Sequence, residues 1–238
     1  MPSSTPLPGL VTQGFTPPLA LADFKLIAFD MDSTLINIEC VDEIADAAGR
    51  KAEVAAITEA AMRGEITDYK ESLRRRVALL AGVPVSAMQQ VLDERLQLNP
   101  GAEALVRACQ AAGLKTLLVS GGFTFFTDHV RDRLGIGATR SNVLEVADGV
   151  LTGRMVDQPW GDICDGDEKK RMLLSTCAEH GILPAQAIAV GDGANDLPMM
   201  GVAGLSVAYH AKPKVREQAM VAINEGGLDR LLEVVRPT

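Results

Sequence analysis

Two acidic residues follow a short apolar run near the start of the sequence. The run 24–29 leads directly into Asp30, and Asp32 stands two positions further on. In an extended chain residues i and i+2 point to the same side, so both carboxylates should face one cavity. Two such charges stay ionised only beside a cation, and Mg²⁺ prefers oxygen ligands. A solvated acidic turn or a helix N-cap would use the same residue types, so this motif alone leaves both interpretations open.

A second turn could bind an oxyanion. Ser120, Gly121 and Gly122 follow the apolar run 115–119 and precede a helical pattern. A hydroxyl and free N–H groups at a helix N-terminus can donate to phosphate oxygens. An ordinary strand-to-helix turn has the same composition, so this motif is weak by itself.

A third turn, 191–196, combines glycine with acids. It begins like a dinucleotide fingerprint, but Asp196 stands where the last glycine belongs, and its acids would repel a pyrophosphate. We therefore exclude NAD binding. Asp192 in a glycine-rich loop suits either a metal ion or a tight turn.

One lysine, Lys169, opens the helical pattern before the third turn. Most lysines on helix surfaces are simply solvated, as its neighbour Lys170 illustrates. Taken together, however, an acid pair, an oxyanion turn, an acidic loop and a lysine are the parts of a site for phosphoryl transfer with Mg²⁺.

Alternating strands and helices must bring these turns together. Apolar runs predict strands at 24–30, 115–120, 187–191 and 205–209, with a hairpin over 142–155 around Asp148-Gly149. Helical spacing predicts helices near 101–112, 124–134, 167–180, 195–202, 213–219 and 227–235. The alternation predicts an α/β fold with a doubly wound parallel sheet, whose ligands bind beyond the carboxyl ends of the strands.

The remaining segments differ in composition. Residues 39–98 are rich in Ala, Glu, Arg and Leu and predict an inserted helical domain with helices near 39–48, 51–62, 66–81 and 85–97. Residues 1–22, with five prolines in the first twenty positions, predict an extended arm that is not a folded unit. The α/β core is then expected to comprise residues 23–38 and 99–238.

Composition excludes several classes of protein. The chain has 238 residues, 47% hydrophobic and 23% charged, with a net charge of −8. It contains no 18-residue apolar stretch and no basic stripe, so we expect neither a membrane span nor a nucleic-acid surface. The four cysteines form no metal-binding pattern, and we expect buried, reduced thiols and a cytoplasmic protein.

The motifs resemble those of the haloacid dehalogenase superfamily, in the family's order, over residues of about 24–225. They are the segment 30–35, the turn 119–122, Lys169 and the loop 191–196. The resemblance is greatest to members that act on phosphoserine. It implies a Rossmann-like core, with the insertion as a helical-bundle cap over the site and the hairpin as a flap.

The resemblance also implies a role for each site residue. Asp30 would be the nucleophile, Asp32 the general acid/base and a metal ligand through its main-chain carbonyl, and Asp192 the third ligand of Mg²⁺. Substrate would be bound by Glu39, Arg76, Ser120, Gly121, Lys169 and Asn195. Met62 and Tyr69 would line the pocket, although the family often has Phe where this chain has Tyr69. Asp196 would support the metal ligands without binding the metal itself. Glu39 and Arg76 alone could equally be a surface helix pair.

The implied activity is Mg²⁺-dependent hydrolysis of O-phospho-L-serine through an aspartyl-phosphate, the last step of serine biosynthesis. Phosphate transfer to another hydroxyl acceptor, such as homoserine, remains open because these motifs do not distinguish water from an alcohol. A non-enzymatic module phosphorylated on an Asp is a remote alternative, since it has no use for a helical insertion after the nucleophile strand. The expected partner is a small phosphorylated amino acid, and the sequence leaves the oligomeric state open.

Overall fold

The computed structural model describes residues 8–62 and 66–237, apart from the side chains of residues 59, 61 and 62. Within this range an eight-stranded sheet has the order β1-β9-β8-β7-β3-β4-β5-β6, and a separate two-stranded sheet joins β2 to β10. The strands are β1 Leu10–Thr12, β2 Leu19–Ala20, β3 Leu26–Phe29, β4 Lys115–Phe123, β5 Ala138–Ala147, β6 Val150–Val156, β7 Ala187–Gly191, β8 Leu205–Tyr209, β9 Val221–Ile223 and β10 Val235–Arg236.

The central strands are parallel, as predicted, and buried along their whole length. β3, β7 and β8 are continuous apolar or small-residue runs without polar alternation, which is typical of strands covered on both faces. In register, Phe29 at the end of β3 lies opposite Leu118 on β4 and Val190 on β7. The three segments that carry the chemistry therefore lie at one edge of the sheet, although the turn expected at 120–122 is the irregular end of β4 and not a loop after it.

Nine α-helices are present among the described residues. They are α1 Cys40–Ala47, α2 Lys51–Met62, α3 Tyr69–Ala78, α4 Val85–Glu94, α5 Ala102–Ala111, α6 Thr124–Leu134, α7 Gly166–His180, α8 Leu197–Met200 and α9 Pro213–Gln218.

Helices α1 to α4 form the helical insertion between β3 and α5. The helix predicted over 66–81 is shorter, because the Asp68 side chain accepts the N–H of Lys70 and caps α3 at its start. The chain enters and leaves the insertion side by side. Ile36 bridges to Leu98, and the Asn99 side chain donates to the main-chain oxygens of Thr34 and Ile36.

The predicted hairpin is present as β5 and β6, with positive φ at both turn residues, Asp148 and Gly149. It contacts the insertion through main-chain hydrogen bonds. Gly82 N–H donates to Leu151 O, and Leu151 N–H donates to Val83 O, each at 2.8 Å. The hairpin and the insertion thus flank the same end of the sheet.

Two elements predicted near the C-terminus were wrong, and one strand was missed. The helix predicted over 227–235 is a 3₁₀ helix, Leu228–Glu233, followed by β10, because β-branched Val234-Val235 and then Pro237 disfavour a further helical turn. The helix predicted over 195–202 is a 3₁₀ turn followed by only four α-helical residues, Leu197–Met200. β9 was not predicted.

The N-terminal segment is more closely attached to the core than its prolines suggested. Leu10–Thr12, a stretch without proline, pairs antiparallel with β9 at the edge of the main sheet. Leu19–Ala20 pairs with β10, and Leu10 and Leu21 are buried. Prolines remove N–H donors only at their own positions, so the residues between them can still extend a sheet.

The four cysteines are buried, as the composition led us to expect. Cys40, Cys109, Cys164 and Cys177 are free and buried. None of the helices in the described ranges is both long and apolar enough to cross a bilayer.

Candidate active site

The candidate site is a cavity of about 1110 Å³ between the sheet edge and the helical insertion. The core contributes residues from the ends of β3, β4 and β7, and the insertion contributes α3. Its polar lining includes Asp30, Asp32, Glu39, Tyr69, Arg76, Ser120, Gly121, Asp192 and Asn195. Of the predicted site residues, Met62 has a side chain outside the described residues, and Lys169 lies beneath the cavity floor.

Lys169 holds two carboxylates below the cavity. Its Nζ lies 2.5 Å from Asp30 Oδ1 and 2.6 Å from Asp196 Oδ1, and the side chain is completely buried. Burial alone would lower the pKa of Lys169, but Asp196 and Asp30 outweigh it and raise this pKa well above its usual value. Lys169 is therefore a permanent cation.

Asp196 orients the loop rather than facing the cavity. Its Oδ1 accepts from Lys169, and its Oδ2 accepts the N–H groups of Asp192 at 3.1 Å and Gly193 at 3.0 Å. A Cβ on Gly191 would lie 2.4 Å from Asp196 Cγ, so this approach needs glycine. Both oxygens therefore have partners within the protein.

Negative charge exceeds positive charge in this cluster. Asp30, Asp192 and Asp196 each place an oxygen within 4.8 Å of the others, against the single charge of Lys169. Burial and then Asp196 raise the pKa of Asp30 well above its usual range, and the same causes raise the pKa of Asp192 to about 7. Two hard oxygen donors with excess negative charge fit a divalent cation such as Mg²⁺.

Asp32 lines the same cavity as Asp30, as expected from strand alternation, but it lies outside this acidic cluster. The chain leaves the extended conformation after Asp32, and Ser33 has a φ of +56°. Asp32 accepts the Cys40 N–H at Oδ2 and the Cys40 thiol at Oδ1, each at 3.2 Å. Burial and then the charge of Glu39 raise the pKa of Asp32 to about 7. This carboxyl can therefore both give and take a proton near neutral pH.

The β4 turn, residues 120–122 at the irregular end of β4, is organised as a set of donors. Ser120 is fully buried, and its Oγ accepts the Gly122 N–H at 2.9 Å, so its own proton remains available. Asn142 fixes the turn from behind, because its side-chain amide donates to Gly121 O at 2.7 Å and accepts the Cys164 N–H at 2.8 Å. The turn is thus rigid before any ligand arrives.

The insertion presents opposite charges to the cavity. Glu39 is exposed and accepts a hydrogen bond from Ser33 Oγ at 2.7 Å. The Arg76 side chain is 14% exposed, its nearest carboxylate is Asp42 at 3.9 Å, and its Nε has no partner among the described residues. An anion that reached Arg76 would satisfy a donor that the described residues leave without a partner.

Sequence reasoning missed three residues that support the site. They are Cys40, Asn142 and Thr34, whose hydroxyl lies 3.5 Å from carboxylate oxygens of both Asp30 and Asp192. Thr34 and Cys40 stand close to the acid pair, so proximity could have suggested them. Asn142 lies in the hairpin, and no local pattern marks it.

Comparison with known proteins places this site in a family. A model of the haloacid dehalogenase-like hydrolases matches residues 27–201. The chain belongs to this hydrolase family. It is 80% identical to a phosphoserine phosphatase of Polaromonas sp. over 96% of this chain and 97% of the relative, and 76% identical to that of Albidiferax ferrireducens over 97% of each.

A solved structure agrees with these relatives. A phosphoserine phosphatase determined as an analogue of its phospho-aspartyl intermediate is 37% identical, with a TM-score of 0.82 over 90% of this chain and 99% of that one. The chain is thus an enzyme of the phosphoserine phosphatase group within the haloacid dehalogenase-like hydrolases. The α/β fold class and the family resemblance inferred from the motifs are confirmed.

Proposed function

We propose that the chain hydrolyses O-phospho-L-serine to L-serine and phosphate, with Mg²⁺ and through an aspartyl-phosphate on Asp30. The observation that carries the proposal is the contrast between two neighbouring aspartates. Asp30 contacts a buried cation at 2.5 Å, whereas Asp32 contacts only neutral donors. A nucleophilic carboxylate needs the first environment, and a proton carrier needs the second.

In the first step a carboxylate oxygen of Asp30 attacks phosphorus while the bond to the serine oxygen breaks. Asp32 gives its proton to that oxygen, because a serine alkoxide is a poor leaving group. Lys169 compensates charge on Asp30 from below, and the Ser120 hydroxyl and Gly121 N–H donate to phosphate oxygens.

In the second step Asp32, now ionised, takes a proton from the water that attacks the phosphorus. The bond between Asp30 and phosphorus breaks, and the carboxylate and free phosphate are released. Mg²⁺, held by Asp30, Asp192 and the main-chain carbonyl of Asp32, would supply the positive charge that the acidic cluster lacks.

The insertion selects the amino-acid part of the substrate. Glu39 would accept the substrate ammonium and Arg76 would bind its carboxylate in a bidentate pair. The segment 39–98 would act as a cap that excludes water, and Asn195 would contact the phosphate or the serine. We also place the reaction at the end of serine biosynthesis and the enzyme in the cytoplasm, where its free thiols stay reduced.

The test is phosphate release from a small set of esters: phosphoserine, phosphothreonine, a sugar phosphate and an aryl phosphate, each with and without Mg²⁺. Phosphoserine should be turned over best, and only with the metal. The same assay with and without homoserine tests the phosphotransferase alternative. Fast phosphate release in the absence of homoserine would show that the enzyme does not require an alcohol acceptor. A stable phosphoprotein without turnover would instead favour a signalling module.

A further inference from the structure

The hydroxyl of Tyr69 reaches from the helical insertion to the proposed phosphate-binding turn. Tyr69 is the first residue of α3 and lines the cavity. A Cβ added to Gly121 would lie 1.9 Å from Tyr69 Oη, so the hydroxyl occupies the space that a side chain at 121 would need. Tyr69 Oη therefore lies directly against the turn whose residues Ser120 and Gly121 line the cavity.

The Tyr69 hydroxyl is an unused donor within the described part of the structure. Among the residues that the structure describes, none accepts a hydrogen bond from it, and the charges of Lys169, Arg76 and Asp30 all act on it. Burial raises the pKa of Tyr69 well above its usual value, so the O–H keeps its proton at every working pH. A partly buried O–H without an acceptor, placed beside two other donors, favours an anionic ligand.

We propose that the Tyr69 hydroxyl donates a hydrogen bond to the phosphoryl group held over Ser120 and Gly121. The inference rests on the proposed function for the phosphate site, but it concerns the phosphate alone. Tyr69 would thus tie the insertion to the phosphoryl group, whereas Arg76 would tie it to the amino acid.

The deciding variant is Tyr69→Phe, which removes one oxygen atom and keeps the ring. The matched control is Tyr209→Phe, the only other tyrosine, which is buried at the end of β8 and does not line the cavity. The first measurement is binding of orthophosphate to the Mg²⁺-loaded protein by calorimetry. Because it uses no ester, it stays informative if phosphoserine proves not to be a substrate.

We expect orthophosphate to bind about tenfold more weakly to Tyr69→Phe, as for loss of one hydrogen bond to a charged group, and unchanged to Tyr209→Phe. kcat/KM should fall by the same factor for phosphoserine and for an aryl phosphate, because both present the same phosphoryl oxygens. Inhibition by L-serine and the thermal midpoint should stay constant. Unchanged orthophosphate binding to Tyr69→Phe would overturn the proposal. Equal weakening of L-serine binding and orthophosphate binding would also overturn it, because it would indicate a structural role for the hydroxyl.

Discussion

Replacing Asp32 by Asn should separate the two halves of the reaction. The Cys40 N–H can still donate to the amide oxygen at position 32, so we expect the side chain to keep its place. The main-chain carbonyl is unchanged. What the variant loses is the proton that Asp32 delivers in the first step and accepts in the second.

The expected magnitude depends on the leaving group. With a pKa of about 7, roughly half of the Asp32 side chains carry the proton at pH 7 and about 1% at pH 9. Loss of a general acid costs about 10²- to 10⁴-fold, so phosphoserine cleavage should fall by that factor in the variant. An aryl phosphate leaves as a stabilised phenolate, and its first step should fall by less than about tenfold.

The pH dependence follows with a definite sign. Protonated Asp32 is the active form for cleavage, so in the native enzyme cleavage of phosphoserine should decline as the pH rises through about 7. Cleavage of the aryl ester should decline less over the same range, because it needs the proton less. Asp32→Asn should remove this difference between the two pH profiles.

The assay is rapid quench with the aryl ester under Mg²⁺. Because the second step still lacks its base, Asp32→Asn should release a burst of phenol without matching phosphate, while aspartyl-phosphate accumulates on Asp30. The control Asp30→Asn should be inert toward both esters. Equal losses on both substrates with no burst would mean that Asp32 is not the proton carrier.

Three further perturbations test the charges of the site. Removal of divalent cations with a chelator should reduce turnover on the order of 10²-fold or more. Ca²⁺ should replace Mg²⁺ poorly because its coordination is looser. Full activity in the presence of chelator would refute the metal assignment. Arg76→Ala should cost about 2–5 kcal/mol in transition-state stabilisation for phosphoserine but little for an aryl phosphate, measured as kcat/KM. Arg76→Lys should restore the loss only in part. The control is Arg75→Ala, because the Arg75 side chain is 54% exposed. Lys169→Met should lower the free energy of unfolding, measured by denaturant titration, by about 3–5 kcal/mol, because it leaves buried carboxylates without their cation. The control Lys170→Met should change the free energy of unfolding by less than about 0.5 kcal/mol.

The sheet and most of its helices could be predicted from sequence because each carries a local signal. Helix α6 was predicted at its exact bounds, 124–134, since Gly135 ends it in a left-handed conformation. β7 and β8 are five-residue runs of apolar and small side chains, also predicted correctly. Short 3₁₀ segments, β9 and the N-terminal strands lack such a signal, because pairing with a distant edge decides them.

Contacts within the site were less predictable than its location. The orientation of Asp32 depends on the start of α1, where the Cys40 N–H points back at the carboxylate. The position of Asn142 depends on β5 lying beside β4, a relation between segments about twenty residues apart. Residue types and spacing indicate which groups meet, whereas the direction of each hydrogen bond follows only from the packed chain.

A protein with a net charge of −8 must bind a phosphate against its own field. The buried positive charge of Lys169 is already matched by Asp30 and Asp196, so it cannot attract the phosphate alone. At the acidic cluster we expect the attraction to come mainly from the cation that the cluster requires and from the neutral donors at Ser120 and Gly121, while Arg76, Lys212 and Lys214 add positive charge elsewhere in the cavity lining. Such a site is weak for phosphate until the cation binds, so orthophosphate affinity should depend on Mg²⁺ even in the inert Asp30→Asn variant, where Asp192 still offers its carboxylate.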